Sequence, residues 1–281
     1  MAGASSREIK NRIRSMKSTR QITKAMEMVA SSKLRRAQTD LIHFRPYFKT
    51  LYETVQNIAL SGGNEVSPYL IQCPEKPILY VVIAGDRGLA GGFNSNILKL
   101  CMDSMHGKDA IVLPIGKKAA DFFSSSNVRL FTEHGPEAQK LSASHCFSLA
   151  KQICRAYLDG KIGSIQVGYT NYVTALSQTP VIVQALPLPH QEKADSPLHC
   201  RQITYEPDVS TVFDTIIPEY LGGILYGAVC ESRAAEQAAR RTAMDSATQN
   251  ADEMIAELNR KYNQARQAAI TQQITEIVAG S

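Results

Sequence analysis

AVCESRAAEQAARRTAMDSATQNADEMIAELNRKYNQARQAAITQQITEIVA, residues 228–279, runs for 52 residues without a glycine or a proline. Ala, Glu, Gln and Arg dominate it, and these side chains lose little freedom in a helix, so the segment reads as one uninterrupted α-helix. At 1.5 Å rise per residue such a helix reaches roughly 75 Å, several times the average in a globular domain. It cannot be buried inside one compact domain; it has to protrude, and another surface has to cover it. Within it Ala235, Ala239, Ala243, Ala247 and Ala251 recur every fourth residue, and Ile255, Leu258, Tyr262, Ala265 and Ala269 continue at spacings of four and three. Small residues let a second helix axis come close, and the alternation of three and four is the rhythm of a coiled coil.

The other end of the chain supplies the second helix. From Ala4 to Arg45 no glycine or proline intervenes, enough for roughly 60 Å of helix. Ser5 or Ser6 can cap it, with Glu8 in the first turn. Pro46 calls for a kink or a short break, after which Leu51, Val55 and Ile58 extend the apolar stripe to Ser61-Gly62-Gly63. The spacing assigns Ile9, Ile13, Met16, Ile22, Met26, Val29, Leu34, Ala37 and Leu41 to the stripe, with interruptions near Arg20 and Lys33. An antiparallel pair of the two chain ends buries both stripes. The C-terminal helix is the longer, so its tip, Ile270 to Ser281, is expected to project alone. That tip carries Ile270, Ile274, Ile277 and Val278 and is nearly uncharged, which suits a socket better than water.

Between Pro77 and Pro207 the period changes. Ile78 to Ala84 is a continuous apolar run, typical of a strand buried on both faces. The Gly-rich turn Gly85 to Gly92 follows, then a helix from Phe93 to Met105 with Asn94 or Ser95 as cap. A strand over Ala110–Ile115, a short helix over Lys117–Phe123, a strand over Val128–Phe131 and a helix over Pro136–Leu158 come next. Ile162–Tyr169 and Pro180–Ala185 are strands on either side of a turn, Leu186–His199 is a surface loop, and Gln202–Tyr205 can add one more strand. Alternating strands and helices predict a small Rossmann-like α/β domain with a mostly parallel sheet. The expected division is a coiled-coil helix over 1–60, an α/β domain over 75–206 and a second coiled-coil helix over 208–281.

Charge and motifs narrow the function. Between Arg7 and Lys49 stand twelve Lys or Arg against Glu8, Glu27 and Asp40, whereas residues 228–279 hold six basic and seven acidic side chains. The first helix is a basic rod, suited to nucleic acid, anionic lipid or an acidic protein surface, or to plain solvation. The six cysteines show no CxxC and fall in mostly apolar surroundings, as reduced thiols of a cytoplasmic protein do. The histidines are scattered, so no metal site is expected. No run approaches 18 apolar residues, and no apolar segment of a secretory signal is present. The Gly-rich turn has the order G-x-x-G-x-x-G-G, which is neither a dinucleotide fingerprint nor a phosphate-binding P-loop. Arg87 and the backbone amides can meet an anion there, but positive-φ turns and close packing explain the glycines more simply. Gly116-Lys117-Lys118 is a strand end before a solvated helix start. No Ser/His/Asp, Cys/His or paired-carboxylate set stands at a sensible spacing, so no catalytic site is expected. A nucleotide-dependent enzyme would need the missing phosphate motif, and a nucleic-acid binder has no use for the apolar tip.

Three stretches are specific. ITKAMEMVASSKLRRAQ, residues 22–38, resembles the N-terminal signature of the γ subunit of F-type ATP synthases, and RQAAITQQITEIVAG, residues 266–280, resembles its C-terminal signature. GDRGLAGGFN, residues 85–94, is similar to the central motif of the same family. The resemblance covers the whole length in order. The short form, without transit peptide or regulatory insert, looks bacterial, and Cys200 and Cys230 are not placed like the chloroplast thiol pair. The resemblance implies a central-stalk rotor without cofactor or catalytic site, peripheral at the cytoplasmic face of the cell membrane. Its implied partners are the α and β subunits of the hexamer, the ε subunit and the c-ring, with no nucleic acid and no membrane contact except through the complex. It places Met26, Lys33, Arg35, Arg36, Arg266 and Gln267 against β subunits, and Tyr205 and Glu206 at the c-ring foot.

Overall fold

The computed structural model describes residues 2–61, 68–71, 73–132, 135–188, 206 and 208–279. Helix α1 (Ala2–Ser61) and a 3-10 turn (Pro68–Leu70) lead into β1 (Ile78–Ile83), α2 (Phe93–Met105), β2 (Ala110–Ile115), α3 (Lys117–Ser124) and β3 (Arg129–Leu130). Then come α4 (Ala143–Leu158), β4 (Ser164–Tyr172), β5 (Gln178–Leu186) and α5 (Val209–Ala279). The chain divides into two compact units, one of residues 33–239 and one of residues 1–32 with 240–281.

In the 33–239 unit the strand order is β3-β2-β1-β4-β5. The first four strands are parallel and β5 returns antiparallel to β4. The central strand β1 serves both faces, as its unbroken apolar run requires. Tyr80 and Val82 pack with Ile97, Leu98 and Cys101 of α2 and with Ala119 and Phe123 of α3. Leu79, Val81 and Ile83 share the opposite core with Cys146, Ala150 and Ile153 of α4, Ile217, Leu221 and Leu225 of α5, and Val55 and Ile58 of α1. Each fully buried Val, Leu, Ile or Phe side chain here stabilises by about 1.5–3 kcal/mol relative to leaving it exposed.

Both long helices pass through residues that ordinarily end one. Helix α1 continues past Pro46 to Ser61, and its first residues from Ala2 are helical, so Ser5 and Ser6 lie inside it and not before it. Helix α5 is 71 residues long and includes Pro218, Gly222, Gly223 and Gly227. The glycines answer to packing. A Cβ on Gly222 would meet Phe147 Cδ1 at 2.2 Å, and one on Gly227 would meet Phe44 Cε1 at 3.2 Å. Tertiary contact overrides the weak local preference against helix. In this unit Phe44 meets Tyr226 edge-on at 4.9 Å and Tyr52 meets Tyr220 at 6.2 Å, so α1 and α5 run antiparallel.

Several local expectations shift. Asn94 and Ser95 are not caps: the N-cap of α2 is Gly92, with no side-chain cap bond. Helix α4 begins at Ala143, well after Pro136, because Ser142 and His145 form a capping box there. Strand β3 is only two residues long, while β4 and β5 extend to Tyr172 and Leu186. The strand expected at Gln202–Tyr205 and most of the loop expected at Leu186–His199 lie outside the described residues, as does Cys200.

Candidate functional site

Which faces of the long helices are free depends on which are taken by the seam. Buried or half-buried positions on α1 follow a strict seven-residue repeat: Ile9, Met16, Thr23, Ala30, Ala37, Phe44, Leu51 and Ile58, alternating with Ile13, Glu27, Leu34, Leu41, Phe48 and Val55, and with the exposed Arg20 at its turn. The spacing of large apolar residues assigns Ile22 and Val29 to this seam. They are 58% and 55% exposed, and Thr23 and Ala30, one position on, are buried instead. One position is 100° of rotation on a helix. The error came from preferring large apolar residues; the heptad carried by small and polar ones was the signal that could have corrected it.

In the unit of residues 1–32 with 240–281, one polar contact inside the seam and one at its exposed edge mark the pairing. Thr23 Oγ1 and Thr248 Oγ1 lie 2.8 Å apart in a buried hydrogen bond, and each hydroxyl also meets a carbonyl of its own helix, that of Arg20 or of Met244. Arg20 Nε reaches Asp252 Oδ1 at 2.5 Å. Moving three residues down α1 while moving four up α5 makes this pair antiparallel too. On α5 Met244, Thr248 and Ala251 are buried, and Ala243, Ala247, Ile255, Leu258, Tyr262, Ala265 and Ala269 are half-buried, as the expected small-residue seam requires.

The surfaces left over are the candidate docking faces. In this unit α1 presents Ile22, Met28 and Val29 to solvent, and Met26 is half-buried. On α5 Arg266 and Gln267 are exposed, and Ile270, Ile274 and Ile277 beyond them are 46%, 57% and 70% exposed. Exposed apolar side chains in such numbers mark surfaces built to be covered. In the 33–239 unit, Lys33, Arg35 and Arg36 are exposed, and none of them has an ion-pair partner among the described residues. Glu206 is exposed in a bend, and Tyr205 lies outside the described residues.

The Gly-rich turn is a structural joint. Gly85 donates its N–H to Asn94 Oδ1 at 2.8 Å, and Asn94 Nδ2 donates to the Arg87 carbonyl. Positive φ is held by Gly91 and, unexpectedly, by Leu89 at 63°, while Gly85, Gly88 and Gly92 do not need it. Asp86 accepts the backbone N–H groups of Lys117, Ala138 and Gln139. Its carboxylate therefore meets donors of its own chain, and Arg87 is left at the surface.

The thiols that are described are all free. Burial pushes Cys101, Cys146 and Cys154 up to about 12, with Arg233 partly opposing the rise at Cys146. Such thiols stay protonated and unreactive. His145, beside the hollow lined by Thr132, Glu137 and Ser148, holds the start of α4 through Ser142 Oγ at 2.8 Å. Among the described residues no group of three or more His, Cys, Asp or Glu is placed to hold a metal ion, and no helix is long and apolar enough to cross a membrane.

Comparison with known proteins places these surfaces in context. The family model described as ATP synthase matches residues 5–281. The ATP synthase gamma chain of Heliobacterium modesticaldum is 39% identical, covering 98% of this chain and 97% of the relative. That of Ruminococcus albus is 40% identical, covering 99% and 98%. Among solved structures, a chain of the Euglena gracilis mitochondrial ATP synthase, in its OSCP/F1/c-ring assembly, aligns over 99% of this chain and 94% of its own, with a TM-score of 0.70 at 20% identity. A chain of the Tetrahymena thermophila mitochondrial ATP synthase central stalk and c-ring aligns over 80% and 99%, with a TM-score of 0.59 at 21% identity. At these identities the structures speak for the fold.

Proposed function

The chain belongs to the ATP synthase γ-chain family, and from that membership we propose that it is the central-stalk rotor subunit of an F-type ATP synthase. The observation that carries this reading is the end-to-end likeness to γ chains at 39–40% identity. Rotation driven by an ion gradient is coupled through this chain to ATP synthesis, or to hydrolysis in reverse, at the α/β hexamer. The chain does no chemistry of its own. It carries free energy between distant sites, and an asymmetric shaft can favour a different state of each surrounding subunit at each angle.

The division of labour follows the three segments 1–60, 75–206 and 208–281. The two helices form the shaft, with the basic face of α1 turned to acidic loops of the β subunits. Met26, Lys33, Arg35 and Arg36 dock there, and Arg266 and Gln267 engage a β loop in one rotational state. Ile270, Ile274 and Ile277 supply the apolar tip that turns in the sleeve. Tyr205 and Glu206 belong to the foot that meets the c-ring beside ε. The protein then sits at the cytoplasmic face of a bacterial membrane, held there only through the complex.

Co-expression with α and β subunits tests the reading. The expected result is a complex that co-purifies and hydrolyses ATP faster than the same subunits without this chain. Failure to associate with α and β overturns it.

A further inference from the structure

In the 33–239 unit, Arg233 of α5 donates to two carbonyls of the stretch before α4. Its Nε and Nη2 reach the Ala138 oxygen at 2.9 and 2.5 Å, and Nη2 also reaches the Leu141 oxygen at 2.7 Å. From the other side, Asp86 accepts the Ala138 N–H at 3.1 Å and the Gln139 N–H at 2.8 Å, together with the Lys117 N–H of α3 at 3.0 Å. Ala138 is thus gripped at both ends of one residue, its N–H on a carboxylate and its carbonyl on a guanidinium, and it is only 4% exposed. Residues 135–142 have no helix or strand of their own. Their place is set by these bonds and by Gly116 N–H donating to the Pro136 carbonyl at 2.8 Å.

Hydrogen bonds to charged groups are roughly twice as strong as neutral ones, and bonds in series through a peptide polarise one another. They also resist a motion that apolar packing does not. Hydrophobic contact is non-directional, so layers can slide across each other while staying buried. A hydrogen bond weakens steeply as its angle closes, so a sliding layer has to break it. The six bonds join four elements: β1 through the turn that holds Asp86, α3, the lead-in to α4, and α5.

We propose that Asp86 and Arg233 form the torque-transmitting joint between the α/β layers and α5, positioning residues that hold Ala138 so that the layers cannot slip on the helix under torque. The load rests on the rotor reading above; the joint rests on the geometry alone. The test uses Asp86→Asn, Arg233→Gln and the milder Arg233→Lys. In the full-length chain, native-state hydrogen exchange of Ala138 and Gln139 is expected to accelerate about tenfold in the first two variants, with β1 and β4 still protected. Unchanged exchange at these amides overturns the joint. In the complex with α, β, ε and the membrane sector, ATP hydrolysis is expected to stay within about twofold of wild type while ions pumped per ATP fall several-fold. Arg233→Lys, which keeps the charge but not the fork, should fall between. Unaltered pumping per ATP, or pumping and hydrolysis lost in parallel, overturns the torque-transmitting role and leaves the rotor reading standing. Should a variant lose protection in β1 and β4, Arg233→Lys decides by the same two readouts. Only failure of the wild-type chain to join α and β counts against the rotor reading itself.

Discussion

Glu231 brings a carboxylate into the contact of α5 with β4 and α1, where its Oε2 has no hydrogen-bond partner among the described residues. Burial raises its pKa above the ordinary 4.5, against the opposing pull of the Arg45 guanidinium and a hydrogen bond with the Tyr169 hydroxyl. The folded chain therefore binds this proton more tightly than the unfolded chain. The sign follows: the contribution to stability is fully present below the ordinary glutamate pKa and is lost as pH rises through the raised one. Glu231→Gln should melt higher than wild type at pH 8, with the difference shrinking toward pH 4. Thermal melts across that range check it, and a difference independent of pH would mean that the carboxylate is solvated. The Thr23–Thr248 pair makes a second residue-scale case. Each hydroxyl keeps a carbonyl partner when the other is removed, so neither is orphaned. Thr23→Val and Thr248→Val should each cost about 1 kcal/mol and couple by about 0.5–1 kcal/mol in a double-mutant cycle read by denaturant melts. This pair was illegible in the sequence because a threonine in an apolar seam looks like an interruption until its partner is known.

Element identities were readable because two periods compete clearly along this chain. Ile78–Ile83 is too short and too evenly apolar for an amphipathic helix, and Pro77 before it and Gly85 soon after bound it; the structure buries it on both faces. Boundaries were less readable, since they depend on single contacts. The start of α4 turns on Ser142 accepting from the His145 N–H while the His145 ring faces the Ser142 N–H, and a histidine in that place is not the Glu or Gln of the usual box. The early turns of α5 posed the opposite problem: Pro218, Gly222, Gly223 and Gly227 look like an end but sit in a helix whose neighbours need the space. That space gives a discriminating prediction. Ala favours helix over Gly by about 1 kcal/mol, so the outcome depends on what the new methyl meets. At Gly222 it meets Phe147 Cδ1 at 2.2 Å and has to displace the ring; at Gly223 it meets Leu51 Cδ2 at 3.3 Å, a flexible end that can give. Gly222→Ala should lose about 1–3 kcal/mol from overpacking. Gly223→Ala should be neutral or slightly stabilising. Chemical denaturation of the two variants side by side checks the contrast.

At the scale of the whole molecule, pairing of the two chain ends was legible because long segments free of glycine and proline admit few folds. Which faces stay exposed was not, since large apolar side chains such as Ile22 and Val29 lie outside the seam at 58% and 55% exposure. Large apolar side chains suggest a seam at Ile22 and Val29, but the buried heptad positions beside them are Thr23 and Ala30. The basic face can be tested through ionic strength. Replacing Lys33, Arg35 and Arg36 with Gln should slow association with the α and β subunits about tenfold at low salt, because exposed charges act mainly on encounter. The difference should vanish near 1 M salt, where the screening length falls to about 3 Å; stopped-flow binding across a salt series measures both limits. The tip separates folding from function most directly. Among the described side chains beyond Ala269 none is buried, so deleting Ile270 to Ser281 removes none of the described core. Exposed changes of that kind shift stability by about 0.5 kcal/mol or less. Calorimetry of the truncated chain should therefore reproduce the melting of the full chain closely. Recovery of the complex with α and β should still fall, because the deletion removes the large apolar side chains of Ile270, Ile274 and Ile277, which are 46%, 57% and 70% exposed. A large drop in melting temperature would make the tip part of the fold, and undiminished recovery and coupling would remove it from the interface.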